Sequence, residues 1–125
     1  MWADMKKIIS AAKQGNASSQ YDLGVYYYRG QGVKKSYRDA VKWYTLAAEQ
    51  RHSTAQEVLG SMYYAGTGVI QDFAIAHMWF NISASQGNDI GKRKLDTIAE
   101  EMTPTQIAEA QKLARECVKK NYKGC

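Results

Sequence analysis

The chain is poor in the residues that usually carry chemistry. It holds two cysteines, two histidines and a single proline, Pro104, among 125 residues. Cys117 and Cys125 have no histidine or further cysteine near them. They therefore lack the donors of a zinc site, and no metal or cofactor is expected. His52 and His77 have no second histidine at ligand spacing and no paired carboxylate motif, which leaves them surface or packing roles. Gly30-Gln31-Gly32 and Gly66-Thr67-Gly68 are not followed by the Gly-Lys-Ser/Thr ending of a phosphate loop, and both follow helical rather than strand-like segments. No stretch approaches the roughly 18–20 consecutive apolar residues of a membrane-spanning helix. A basic start leading into an apolar run and a cleavage site is also missing. The chain opens in the middle of what reads as a repeat, so that absence says little about compartment.

Composition is that of a globular domain, with 45% hydrophobic and 23% charged residues, and residues 1–125 read as one unit. The net charge is +5. Excess basic charge can serve nucleic acid through phosphate contacts. Here the basic residues are scattered: Lys6, Lys7 and Lys13 early, Lys34 and Lys35 in a loop, Lys92 to Lys94, and Lys119, Lys120 and Lys123 last. No helix carries an unbroken basic stripe, so solvated faces are favoured over a nucleic-acid patch.

What the chain does have is a period. Residues 15–50 return thirty-six residues later as 51–86, with twelve identities and no gap. Gln20, Leu23, Gly24, Tyr27, Tyr28, Gly30, Gly32, Val33, Ala40, Trp43, Ala48 and Gln50 are the first copies. A fixed period of this size marks a stacked array of supersecondary units. Residues 1–14 form a partial leading repeat, helical from Met5, Ile8, Ile9 and Ala12 at three- and four-residue spacing. Residues 15–50 and 51–86 are full repeats, and 87–125 is a divergent pair that caps the array.

Within each full repeat the first helix runs into Gly-x-Gly-Val, whose glycines supply positive φ and whose Val33 plugs the gap between helices. Gly24 and Gly60 lie inside helices, where glycine costs roughly 1 kcal/mol, and close approach of a neighbouring helix backbone is the expected reason. Ser36 and Asp72 are expected to cap the second helices. These helices are expected to bury Tyr37, Ala40, Trp43, Tyr44 and Ala47, then Phe73, Ala76, Trp79, Phe80 and Ser83. In the last pair Thr103 reads as N-cap, Pro104 as first helical residue and Gln106 as capping-box partner. Ile107, Ala110, Ala114, Cys117 and Val118 form its apolar side.

Leu-Gly, a tyrosine three residues on, Gly-x-Gly-Val, an acidic residue near the next helix start, Ala-x-x-Trp and Ala-Ala-x-Gln together resemble the Sel-one-like repeat, a relative of the tetratricopeptide repeat, over about 15–101. The final Met102-Thr103-Pro104-x-Gln106 helix is similar to the closing helix of bacterial members. The resemblance implies an all-α fold, a right-handed α/α superhelix of about seven helices. It implies a non-enzymatic adaptor that binds a protein or peptide along the concave face of its first helices. Mapped onto this chain, the inward positions are Ser18, Tyr21, Val25, Tyr28 and Arg29, then Thr54, Glu57, Ser61, Tyr64 and Ala65. Apart from Tyr28/Tyr64 they differ between the copies, as residues that read a partner can and residues that pack the framework cannot.

Secreted cysteine-rich members of the family carry the same spacing as Cys117 and Cys125, which implies a bridge that pins the C-terminal tail and a periplasmic or secreted location. Two free thiols in a cytoplasmic protein are the alternative. Some secreted relatives also suggest a penicillin-interacting or hydrolytic role, and Ser10-Ala11-Ala12-Lys13 matches Ser-x-x-Lys. The companion Ser-Asp-Asn and Lys-Thr-Gly elements are missing, and the alanines already have a packing role.

Overall fold

A computed structural model describes residues 2–125. Seven helices and no strand occur among the described residues: α1 (Trp2–Lys13), α2 (Ala17–Arg29), α3 (Tyr37–Ala48), α4 (Ser53–Ala65), α5 (Phe73–Ser85), α6 (Asp89–Ala99) and α7 (Pro104–Lys119). Met1, the expected start of the leading helix, lies outside the described residues. Consecutive helices pack pairwise through α6, while α7 turns back onto α5, giving an all-α solenoid.

Local chemistry sets the helix ends. The side chains of Asn16, His52 and Asn88 each accept the backbone N–H three residues on, at 2.8, 3.1 and 2.9 Å. Ser36 and Asp72 cap α3 and α5 in the same way. Thr103 and Gln106 exchange both bonds of a capping box that brackets Pro104. Gly30 and Gly66 end α2 and α4 in the left-handed conformation and return their N–H groups to Tyr26 and Met62.

The helix glycines have a different reason from the expected one. A Cβ on Gly24 would stand 2.6 Å from the Tyr44 ring, and one on Gly60 would stand 2.7 Å from the Phe80 ring. An aromatic ring of the following helix, more than its backbone, occupies the space beside each glycine, with the Ala76 carbonyl oxygen also 3.2 Å from the Gly60 position. Gly68 is constrained twice: its φ is +74° and a Cβ there would meet the Tyr37 carbonyl oxygen at 2.7 Å. The second glycine of the loop therefore touches the preceding repeat.

The repeated glutamines close the joints between repeats. Gln20 and Gln56 donate to the carbonyls of Ala12 and Ala48 at 3.1 and 3.0 Å, and Gln50 and Gln86 donate to those of Gly15 and Arg51. These carbonyls lie at or just beyond helix C-termini, where acceptors have no intrahelical partner. Leu23, Trp43, Tyr44, Leu59, Trp79 and Phe80 are buried as the helical stripe requires. Phe73 and Ile107 are half-buried, and two further expected core residues are exposed. Tyr37 is 38% exposed because it sits at the first position of α3 and packs sideways on Tyr28, ring centroids 5.1 Å apart. Val118 is 51% exposed, since Cys117 and not its neighbour turns inward on the last turn of α7.

The tail beyond α7 is folded back. Cys117 and Cys125 are joined in a disulfide, with Cα atoms 5.4 Å apart. Asn121 and Tyr122 take positive φ to make the reversal. Gly124 N–H then donates to Glu49 at 3.0 Å, and Arg51 lies over the Tyr122 ring. The tail thereby grips the turn between α3 and α4.

Candidate functional site

The first helices of successive repeats, α2, α4 and α6, carry the inward positions. Between α4 and α6 they enclose a groove of 830 Å³. Val58 and Met62 from α4, Phe80 from α5 and Ile98 from α6 supply its apolar surface, while Ser61, Arg93, Lys94 and Thr97 supply the polar one. Such size, apolar lining and sparse polar groups are the features of a recognition site.

Of the inward residues read from the sequence, Tyr28, Glu57, Ser61, Tyr64 and Ala65 come together in this groove. Ser18, Tyr21, Val25, Arg29 and Thr54 are not part of its lining. Ser18 and Arg29 are exposed and Thr54 is half-buried. Tyr21 stacks on His52 with centroids 4.9 Å apart and leans on Tyr44 at 5.7 Å. Val25 packs against the same core. Burial first, and then the Glu57 charge, hold the Tyr21 phenol above its ordinary pKa of 10.0.

Glu57 is only 6% exposed, which an unpaired carboxylate could not sustain. Lys94 on α6 donates to it at 2.8 Å and to Ser61 Oγ at 2.6 Å, and the Ser61 hydroxyl donates weakly to Glu57 at 3.4 Å. The three groups satisfy one another and tie α4 to α6. Tyr64 stacks on Phe73 at 5.1 Å and donates to Glu101 at 2.6 Å. That hydrogen bond is the main reason its phenol is pushed above 10.0. The Tyr28–Tyr37 and Tyr64–Phe73 pairs are equivalent, so the repetition of this tyrosine has a packing cause.

Ile90, Arg93 and Thr97 were missed by sequence reasoning although the period contains them. One more step of thirty-six from Thr54, Glu57 and Ser61 lands on these three. Lys94, which follows Asp22 and Val58 in register, carries no such signal because its partner lies across the joint. His77 is buried on α5 with its Nδ1 unpartnered, and burial lowers its pKa from 6.5. Ser10 is exposed on α1 and accepts from Gln14 at 3.3 Å. Among the described residues, no group of three or more His, Cys, Asp or Glu is placed to hold a metal ion. No helix there is long and apolar enough to cross a membrane.

Comparison with known proteins bears on the fold and the family. The family model described as Sel1 repeat matches residues 17–52 and 53–88, together more than half of the chain. A sel1-like repeat-containing protein of Acanthamoeba polyphaga mimivirus is 51% identical over 35 residues, covering 28% of this chain and 6% of the viral protein. Among solved structures, a protective antigen present in uropathogenic Escherichia coli strains and displaying an SLR fold superposes with a TM-score of 0.88 at 29% identity. That match covers 94% of this chain and 26% of the antigen. A Sel1 repeat protein from Oxalobacter formigenes gives a TM-score of 0.71 at 36% identity, over 72% of this chain and 68% of that one. The chain thus spans about a quarter of the antigen's length and a small fraction of the viral protein's.

Proposed function

The chain belongs to the Sel1 repeat family, and on that premise we propose that it is a non-enzymatic adaptor binding a protein or peptide in the groove between α4 and α6. Proteins built from these repeats are generally protein-interaction scaffolds. The observation that carries the finer reading is where the non-repeated inward residues fall. Glu57 and Ser61 on α4 meet Lys94 on α6 directly, and Arg93 and Thr97 line the same groove beside an apolar surface. Tyr28 and Tyr64 add rigid aromatic area with polar tips, the side-chain type favoured at interfaces. Lys94 is ion-paired with Glu57 and donates to Ser61 Oγ instead of accepting its proton, so it is not placed as a base for this serine, which supports recognition over hydrolysis at the groove. Ser18 and Arg29, at the corresponding register positions of α2, are exposed and open to contact with a partner longer than the groove.

In this reading, residues 87–125 close the array. The Cys117–Cys125 bridge supports an oxidising location, periplasmic or secreted, since such bonds do not persist in reducing cytosol.

The test is co-purification from source extract with the wild-type chain and with Ser61→Trp, which fills the groove from a half-buried position. A specific partner should be retained by the first and lost by the second while both keep the same helical circular dichroism. Undiminished capture by Ser61→Trp would place binding elsewhere.

A further inference from the structure

The charges lining the groove are unequal in what they have left to offer. Glu57 is buried and committed to Lys94 and Ser61. Glu101, at the edge, accepts from Tyr64. Lys94 spends two of its three ammonium N–H groups on Glu57 and Ser61, and its side chain remains 41% exposed. Arg93 makes none of the ion pairs found among the described residues, which are Lys92–Asp96 and Lys94–Glu57, and it is exposed on the groove wall. Among the lining residues one carboxylate, Glu57, stands against two cations, Arg93 and Lys94, which leaves one positive charge in excess. Beside these cations the accessible apolar surface comes from Ile90, Val58, Tyr28 and Tyr64, with the nearly buried Met62, Phe80 and Ile98 closing the floor behind them.

We propose that the groove selects an acidic–apolar peptide segment, whose carboxylate docks on Arg93 and the remaining Lys94 N–H while a neighbouring apolar side chain fills the floor. This rests on the reading of the groove as a protein-binding face. An arginine fork matches a carboxylate with two parallel hydrogen bonds. A dianionic phosphate fits less well, because the Glu57 carboxylate stands 2.8 Å behind the Lys94 ammonium and repels added negative charge at short range.

The experiment is an array of randomised octapeptides probed with the labelled wild-type chain, Arg93→Glu and Ser61→Trp, each first shown to keep its circular dichroism. The wild type should enrich peptides in which Asp or Glu adjoins Leu, Ile, Met or Phe, with binding that weakens as salt rises. Arg93→Glu should lower affinity for the best of these by about tenfold or more and shift selection towards Lys and Arg. Peptides bound in the groove without acidic enrichment, or with indifference to Arg93→Glu, would overturn the acidic–apolar assignment and leave the groove intact as a binding face. Binding of no peptide at all, or equal binding by Ser61→Trp, would remove the groove reading and this assignment with it.

Discussion

The joint between α2 and α4 and the joint between α4 and α6 are built on the same thirty-six-residue step, yet one is filled and the other is open. At the first, Tyr21 stacks on His52 and leans on Tyr44, and Val25 packs into the core beside it. At the second, the same helix positions hold Glu57 and Ser61, the capping residue is Asn88, and a polar strut to Lys94 replaces the aromatic stack. The residues that set helix spacing are identical in the full repeats: the glycine under an aromatic ring, the glutamine on a helix-end carbonyl and the buried tryptophan. Scaffold geometry is therefore inherited from the repeat, and the difference between the two joints lies in two or three unrepeated side chains.

Breaking what the joints share should have the largest effect. Trp79 is buried in the same core as Tyr44 and Leu59. Trp79→Ala should cost about 3–5 kcal/mol in urea denaturation, and a loss under about 1 kcal/mol would mean the core is misplaced. Reduction of Cys117–Cys125 comes next and acts on the first joint, whose α3–α4 turn the tail grips through Glu49 and Arg51. The chain entropy of so short a loop amounts to about 2–3 kcal/mol, and denaturation with and without reductant measures it. At the second joint, Lys94→Met strands the buried Glu57 carboxylate. Because Lys94 is 41% exposed, the expected loss is about 1–2 kcal/mol, less than for a fully buried pair. Adding Glu57→Gln should recover most of that loss; additive losses would mean the pair is not coupled.

The smallest effect separates the joints by pH. His52 caps α4 through Nδ1, the atom that must stay unprotonated to accept the Ala55 N–H. Burial is the main reason its pKa lies below the ordinary 6.5, with the Asp22 charge on α2 opposing and the Tyr21 ring stacked against it. With a lowered folded pKa, its stabilisation is complete above 6.5 and is lost as pH falls from there towards the folded value, because the unfolded chain protonates first. Asn16 and Asn88, at the equivalent positions, do not titrate in this range. His52→Asn should be nearly neutral at pH 7.5 and should flatten the acid limb of a stability–pH curve, leaving the share due to buried His77. An unchanged acid limb would deny His52 its capping role.

Much of the fold could be read before any coordinates. The period, the Ser36 and Asp72 caps, the Thr103 box and the buried tryptophans all rest on local patterns of fixed spacing. Other features depend on what lies opposite. Tyr37 has the apolar spacing of a core residue but stands at the first position of α3, where Tyr28 rather than the core is its neighbour. The His52 cap was hidden because histidine is not among the residues that commonly fill that position, although Asn16 and Asn88 mark it in register. Half of the candidate site was legible from the inward positions of α4. The α6 half was obscured because Asp96 and Ala99 break the repeat pattern while Ile90, Arg93 and Thr97 continue its geometry. No spacing rule pairs Glu57 with Lys94, since that contact exists only once α4 and α6 are stacked.

The central claim is that the open joint recognises a partner and the filled one does not. Exchanging their residues tests this most directly. Glu57→Tyr with Ser61→Val gives the second joint the side chains of the first, and Tyr21→Glu with Val25→Ser does the reverse. Isothermal titration with the best peptide from the array should show binding abolished in the first double variant and retained in the second, both remaining folded. Retained binding by Glu57→Tyr/Ser61→Val, with loss in Tyr21→Glu/Val25→Ser, would put the recognition surface at the first joint and contradict the account.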